Sequence, residues 1–136
     1  MRASSREGVS ALVFQTLQAF PSVKVCILYG SAGRDQLRDH SDVDLAVGAG
    51  RRLTQVEYQA LHTALSATLE REVDLIDLET LTGLLWEFLW TEGCFLLKDH
   101  DLIVKYTGKA QAFVEDVKPG MMRIIEHRLK EAFGPL

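Results

Sequence analysis

VKVCILYGSAGRDQLRDHSDVDLAV, residues 23–47, is the stretch that decides the fold. Val23 to Tyr29 is rich in β-branched and large apolar residues and reads as a buried strand. Gly30 and Ser31 end it, and a polar, charged stretch runs from Arg34 to Ser41. Asp42 to Val47 (DVDLAV) then reads as a second strand, closed by Gly48 and Gly50. Two strands with a glycine-bearing connection place polar side chains at strand ends, where α/β proteins carry their chemistry.

Working outward, Val9, Leu12, Val13, Leu17 and Phe20 recur at helical spacing, and Pro21 stops that helix. Leu61, Ala64, Leu65 and Leu69 mark a second helix, with Thr54 as N-cap and Glu57 completing a capping box. Glu72 to Leu78 (EVDLIDL) reads as a third strand. The segment from Glu79 to Trp90 is apolar nearly all round and reads as a helix buried on several sides. Gly93 ends it, and a short fourth strand (CFLL) follows. Ile103, Tyr106, Ala110, Phe113 and Val117 again keep helical spacing, Pro119–Gly120 breaks the pattern, and Met122, Ile125, Leu129 and Phe133 define a last amphipathic helix. Strands alternating with helices give an α/β (α+β) domain, a small mixed sheet with flanking helices and a C-terminal helical tail.

The chain has 136 residues, which fits a single domain, 1–136, able to bury a core without disulfides. Its 15 basic and 19 acidic residues leave a net charge of −4, against a protein that coats nucleic acid through a basic surface. Direct nucleic-acid binding is not expected, although one nucleotide needs only a local site. Cys26 and Cys94 each lie in an apolar run and read as buried free thiols in a reducing compartment. No apolar stretch approaches the roughly 20 residues needed to span a bilayer, and MRASSREG is followed by no signal-like apolar run. A cytoplasmic protein without a membrane segment is the expectation.

Three features at strand ends carry chemistry. Gly30–Ser31 allows a tight turn with close backbone approach to a ligand, and its hydroxyl and N–H groups can bind phosphate oxygens. By itself a Gly–Ser after a strand is more often only a turn. Asp42 and Asp44 stand at i and i+2, so a strand points both carboxylates to one side. They repel unless a cation lies between them, and all-oxygen ligation suits Mg²⁺. An exposed strand edge with solvated charges is the competing reading. Asp74 sits within apolar neighbours of the third strand, where a lone buried carboxylate is costly. Asp77, of opposite parity, reads as a strand-terminating or capping residue. Together the set offers a phosphate cradle, two carboxylates for a metal pair and a third to activate a hydroxyl. His40, His62, His100 and His127 are scattered without ligand spacing, which disfavours zinc.

Ten residues separate Ser31 from Asp42, giving G-S-x₁₀-D-x-D. This resembles the signature of the polymerase β-like nucleotidyltransferases and, at this size, the minimal nucleotidyltransferase (MNT) family. The resemblance runs from about Pro21 to Asp101, including VDLIDL and TEGCFLLKDHD, so a catalytic core at about 21–101 precedes C-terminal helices at about 102–134. The resemblance implies metal ligation and catalysis by Asp42, Asp44 and Asp74, nucleotide binding by Gly30, Ser31 and Arg34, two Mg²⁺ ions, and ATP as substrate. Asp35 departs from the pattern, since many relatives have Gly after the Arg, and it puts a negative charge near the phosphates.

Many MNT proteins are antitoxins paired with HEPN-domain ribonuclease toxins. The resemblance therefore implies transfer of AMP from ATP to a toxin tyrosine. The alternatives are an antitoxin that acts by binding and occlusion, and a small-molecule transferase resembling aminoglycoside-modifying enzymes. The Glu79–Trp90 segment and the last helix present more apolar surface than so small a domain can bury, which marks a partner surface with Trp86 or Trp90 as anchor.

Overall fold

The computed structural model describes residues 2–134. Its centre is a four-stranded mixed sheet in the order β3-β2-β1-β4, formed by β1 (Val25–Tyr29), β2 (Val43–Gly48), β3 (Val73–Asp77) and β4 (Cys94–Lys98). β1 runs antiparallel to both β2 and β4, while β2 and β3 are parallel. The expected small mixed sheet is the one observed. Period-two alternation divides its residues between two cores. Cys26 and Leu28, Val43, Leu45 and Val47, and Val73 and Leu75 face helices α1 (Arg6–Leu17) and α3 (Gln55–Leu69). Val25, Ile27, Tyr29 and Ala46 face α4 (Leu85–Glu92) and α5 (His100–Ala112).

Local signals set the helix starts. Ser5 caps α1 by accepting from the Gly8 N–H, and Asp99 caps α5 by accepting from the Leu102 N–H. Thr54 and Glu57 form the reciprocal capping box anticipated for α3. α2 is a single turn, Gly30–Gly33, that leaves β1 without an intervening loop.

Two expected elements differ. The continuous helix from Glu79 to Trp90 is divided into a 3₁₀ turn at Leu78–Thr80, an irregular stretch and α4. Gly83, at φ +87°, is the reason, because a right-handed helix cannot pass through that conformation. Conversely, Pro119–Gly120 does not break the chain's last helical run. A π-helical turn at Phe113–Val117 joins α5 to α6 (Lys118–Phe133), with the Lys118 N–H bonded five residues back to the Phe113 carbonyl. Pro119 thereby falls in the first turn of α6, where its missing N–H costs little. No residue of α6 is buried; Met122, Ile124, Ile125, Leu129 and Phe133 are all exposed.

Trp86 is buried in the α4/α5 core and donates its indole N–H to the Leu81 carbonyl, and Trp90 donates to the Thr107 hydroxyl. Trp86 therefore belongs to the interior and cannot serve as the partner anchor. Trp90 is half-buried, and the apolar surface expected on the last helix is exposed on α6. Among the described residues no helix is long and apolar enough to cross a membrane.

Candidate active site

Sheet register builds the site. Tyr29 pairs with Asp44 across the antiparallel β1/β2 ladder, and Asp44 pairs with Asp74 across the parallel β2/β3 ladder. Paired residues point to the same face, so Tyr29, Asp44 and Asp74 form a row on the α4/α5 side, at strand spacings of about 5 Å. Asp42 lies one residue before β2 and is exposed. The electrostatics report the same cluster. Burial holds the Asp44 carboxyl above its usual range, and the charges of Asp74 and then Asp42 push it further. Burial, then Asp44 and Asp74, likewise raises the Tyr29 hydroxyl.

The structure overturns the expected burial of Asp74 and bears out Asp77 as a capping residue. Asp74 is exposed, because β3 is an edge strand whose α4/α5 face is uncovered at that position. The buried carboxylate is Asp77, and both its oxygens are used. Oδ2 accepts from the Leu53 N–H at 2.8 Å and Oδ1 from the Glu79 N–H at 2.9 Å. Asp77 thus caps the 3₁₀ turn, as its parity suggested. A hollow of about 480 Å³ beside it, lined by Arg52, Thr54, Tyr58 and Leu75, contains none of the other candidate carboxylates.

Gly30 adopts φ +66° directly beside this row. A methyl group there would overlap the Asp44 carboxylate, so both conformation and space favour glycine. Replacing Gly30 with Ala is expected to cost about 1–2 kcal/mol of stability from the left-handed backbone alone. It should also displace Asp44; thermal melting together with titration of Mg²⁺·ATP measures both effects.

Ser31 is half-buried and lines a polar hollow of about 650 Å³ with Gln36, Leu37, Arg38 and Ser41. Arg34 is exposed and lines a different hollow, against Leu84, Glu87 and Phe88 of the α4 region. Among the described residues no ion pair holds its guanidinium.

Asp35 is also resolved by its surroundings. It sits at φ +57°, a left-handed position that glycine favours and that Asp tolerates better than most residues. Its Oδ1 accepts from the Arg6 N–H at 2.7 Å, placing the carboxylate at the N-terminus of α1. The charge expected near the phosphates is therefore engaged elsewhere.

Among the described residues no three His, Cys, Asp or Glu side chains are already gathered as a metal-holding group. Mg²⁺ does not need such a cage, since it keeps several waters and takes one or two carboxylates plus substrate phosphates. An all-carboxylate donor set, with Asp44 raised by burial and then by the charges of Asp74 and Asp42, fits a hard divalent cation.

Comparison with known proteins agrees with this fold. The chain is 26% identical over 108 residues to the protein adenylyltransferase MntA of Shewanella oneidensis, covering 71% of this chain and 78% of the relative. It shares its fold with the corresponding chain of a toxin–antitoxin crystal structure with AMP-PNP, at TM-score 0.77 and 22% identity over 88% of this chain and 98% of that one. A similar match, at TM-score 0.73 and 21% identity over 91% and 98%, is to a complex of a tri-AMPylated S. oneidensis HEPN toxin with its MNT antitoxin. The family described as Polymerase beta, Nucleotidyltransferase matches residues 13–102. With its mixed sheet and its carboxylate row beside a left-handed glycine turn, the chain belongs to the polymerase beta nucleotidyltransferase family.

Proposed function

We propose that this protein transfers AMP from ATP to a tyrosine hydroxyl of a HEPN-domain toxin and so neutralises it. The observation that carries the reading is the in-register Asp44–Asp74 pair beside the left-handed turn at Gly30, where a Cβ would meet the Asp44 carboxylate. The relative named protein adenylyltransferase, and the AMPylated toxin in a structure of the same fold, support the acceptor class. The free thiols Cys26 and Cys94 suit the cytoplasm, where ATP is supplied.

In this reading Asp42 and Asp44 would hold Mg²⁺, Asp74 would complete the ligand set, and Gly30 and Ser31 would receive the triphosphate. Bound Mg²⁺ supplies charge neutralisation on the phosphates and lowers the cost of the developing negative charge. The tyrosine oxygen attacks the α-phosphorus, the bond from that phosphorus to the bridging oxygen breaks, and pyrophosphate leaves. Asp74, exposed and at the sheet edge, accepts the tyrosine proton. Arg34, exposed and without an ion pair among the described residues, is available to the leaving pyrophosphate.

α6 is the surface offered to the toxin, since among the described residues the stripe of Met122, Ile125, Leu129 and Phe133 is exposed. That surface also gives the occlusion reading its one specific support, because binding through α6 requires no chemistry. Incubation with Mg²⁺, the toxin and ATP labelled at either the α- or the γ-phosphate separates the readings. Transfer of α label alone to a toxin tyrosine is expected. A toxin that is bound and silenced without acquiring label would favour occlusion.

A further inference from the structure

Arg71 is 7% exposed, yet among the described residues no carboxylate pairs with it. A buried cation is costly unless its donors are satisfied, and here they are satisfied by backbone carbonyls alone. Nη1 donates to the carbonyls of Arg38 at 2.8 Å and Ser41 at 3.0 Å. Nε and Nη2 donate to the Ala3 carbonyl at 3.3 and 3.1 Å. A planar fork can hold two chain segments in one geometry, which a lysine cannot.

The segments it holds both matter to the site. Arg38–Ser41 is a closed turn, with the Ser41 N–H bonded to the Arg38 carbonyl and the Arg38 N–H to the Ser41 hydroxyl. Asp42 follows at once. Arg71 holds the Ser41 carbonyl before it, and the Glu72 carbonyl accepts the Val43 N–H after it, at 2.9 Å. Two consecutive residues at the entrance to β3, three and two positions before Asp74, thus fix the backbone on both sides of Asp42. The N-terminal segment closes the other end. Arg6 bonds to Asp35 through its N–H and to the Gly33 carbonyl through its guanidinium, at 3.4 Å, so residues 3–6 strap the loop that begins at the phosphate turn.

We propose that Arg71, with this N-terminal strap, is a positioning residue that holds the Gly33–Asp42 loop and so sets Asp42 in line with Asp44 and Asp74. The clamp rests on hydrogen bonds alone; its consequence for metal and nucleotide rests on the function proposed above.

The variants are Arg71→Met, Arg71→Lys and a chain lacking residues 2–4, the last of which removes no fully buried residue, only the half-buried Ala3 at the edge of the α1/α3 core. Hydrogen exchange should accelerate about tenfold or more at amides 36–43, with α3 amides unchanged, in Arg71→Met and to a smaller degree in the other two. Calorimetry with Mg²⁺·AMP-PNP should show affinity about 10–100-fold weaker for Arg71→Met, the scale on which groups that orient metal ligands act. Combined with Asp42→Asn, Arg71→Met should add little further loss, because both act through one carboxylate. Uniformly faster exchange, or fully additive losses, would overturn the proposal. A wild-type protein that binds no Mg²⁺·AMP-PNP would overturn the proposed function, while the exchange comparison would still decide whether Arg71 holds the loop.

Discussion

Replacing Asp42 and Asp44 together with Asn is expected to reduce nucleotide transfer by roughly 10³-fold or more, because the loss exceeds that of a single preorganised electrostatic partner. The fold should survive, and without metal it should melt at a higher temperature than wild type near neutral pH. The sign follows from Asp44, whose carboxyl is held above its ordinary value by burial, then Asp74, then Asp42. A carboxyl with a raised folded value binds its proton more tightly in the folded protein. The stability linked to that proton is present below the unfolded value and lost as pH rises through the folded one. At neutral pH the wild type carries the whole penalty and the variant does not, so the difference between them should shrink on acidification. Mg²⁺ should raise the melting temperature of the wild type and leave the variant almost unchanged. Full transfer by the double variant would remove these carboxylates from the mechanism.

The second large effect is expected at α6. Leu129→Asp and Ile125→Asp should each weaken the complex with a HEPN toxin by about 2–4 kcal/mol if the apolar stripe is the docking core. The isolated protein should melt as before, since no residue of this helix is buried. Trp86→Ala is expected to behave oppositely, destabilising the fold by about 3–5 kcal/mol, because Trp86 is only 4% exposed in the α4/α5 core. Titration calorimetry and thermal melting on the same preparations separate the two kinds of loss. Unchanged affinity in both α6 variants would move the docking surface to the apolar hollow formed by Leu81, Gly83, Phe113 and Val117.

Strand periodicity made the sheet legible, because β-branched runs bounded by glycine have few alternatives. The same period brought Asp44 and Asp74 to one face and turned Asp77 to the other, and both placements hold. Burial of Asp74 was misread, because a short apolar strand looks the same whether it lies in the middle or at the edge of a sheet. The Glu79–Trp90 helix was overextended because apolar content says nothing about the left-handed φ of Gly83. Pro119 was read as a break because the π turn that shifts it into a first helical turn leaves no sequence mark. The Arg71 clamp is likewise unmarked in the sequence. Its carbonyl partners lie 30, 33 and 68 positions away, and carbonyls carry no side-chain signature.

The most direct measurement is a crystal structure of the protein with Mn²⁺ in place of Mg²⁺ and a non-hydrolysable ATP analogue, using anomalous scattering to locate the metal. The expected result is metal bound by Asp42 and Asp44 within reach of Asp74, with the triphosphate against Gly30 and Ser31. A metal–nucleotide complex seated away from the Asp44–Asp74 pair, or an analogue bound with no metal at these carboxylates, would contradict it.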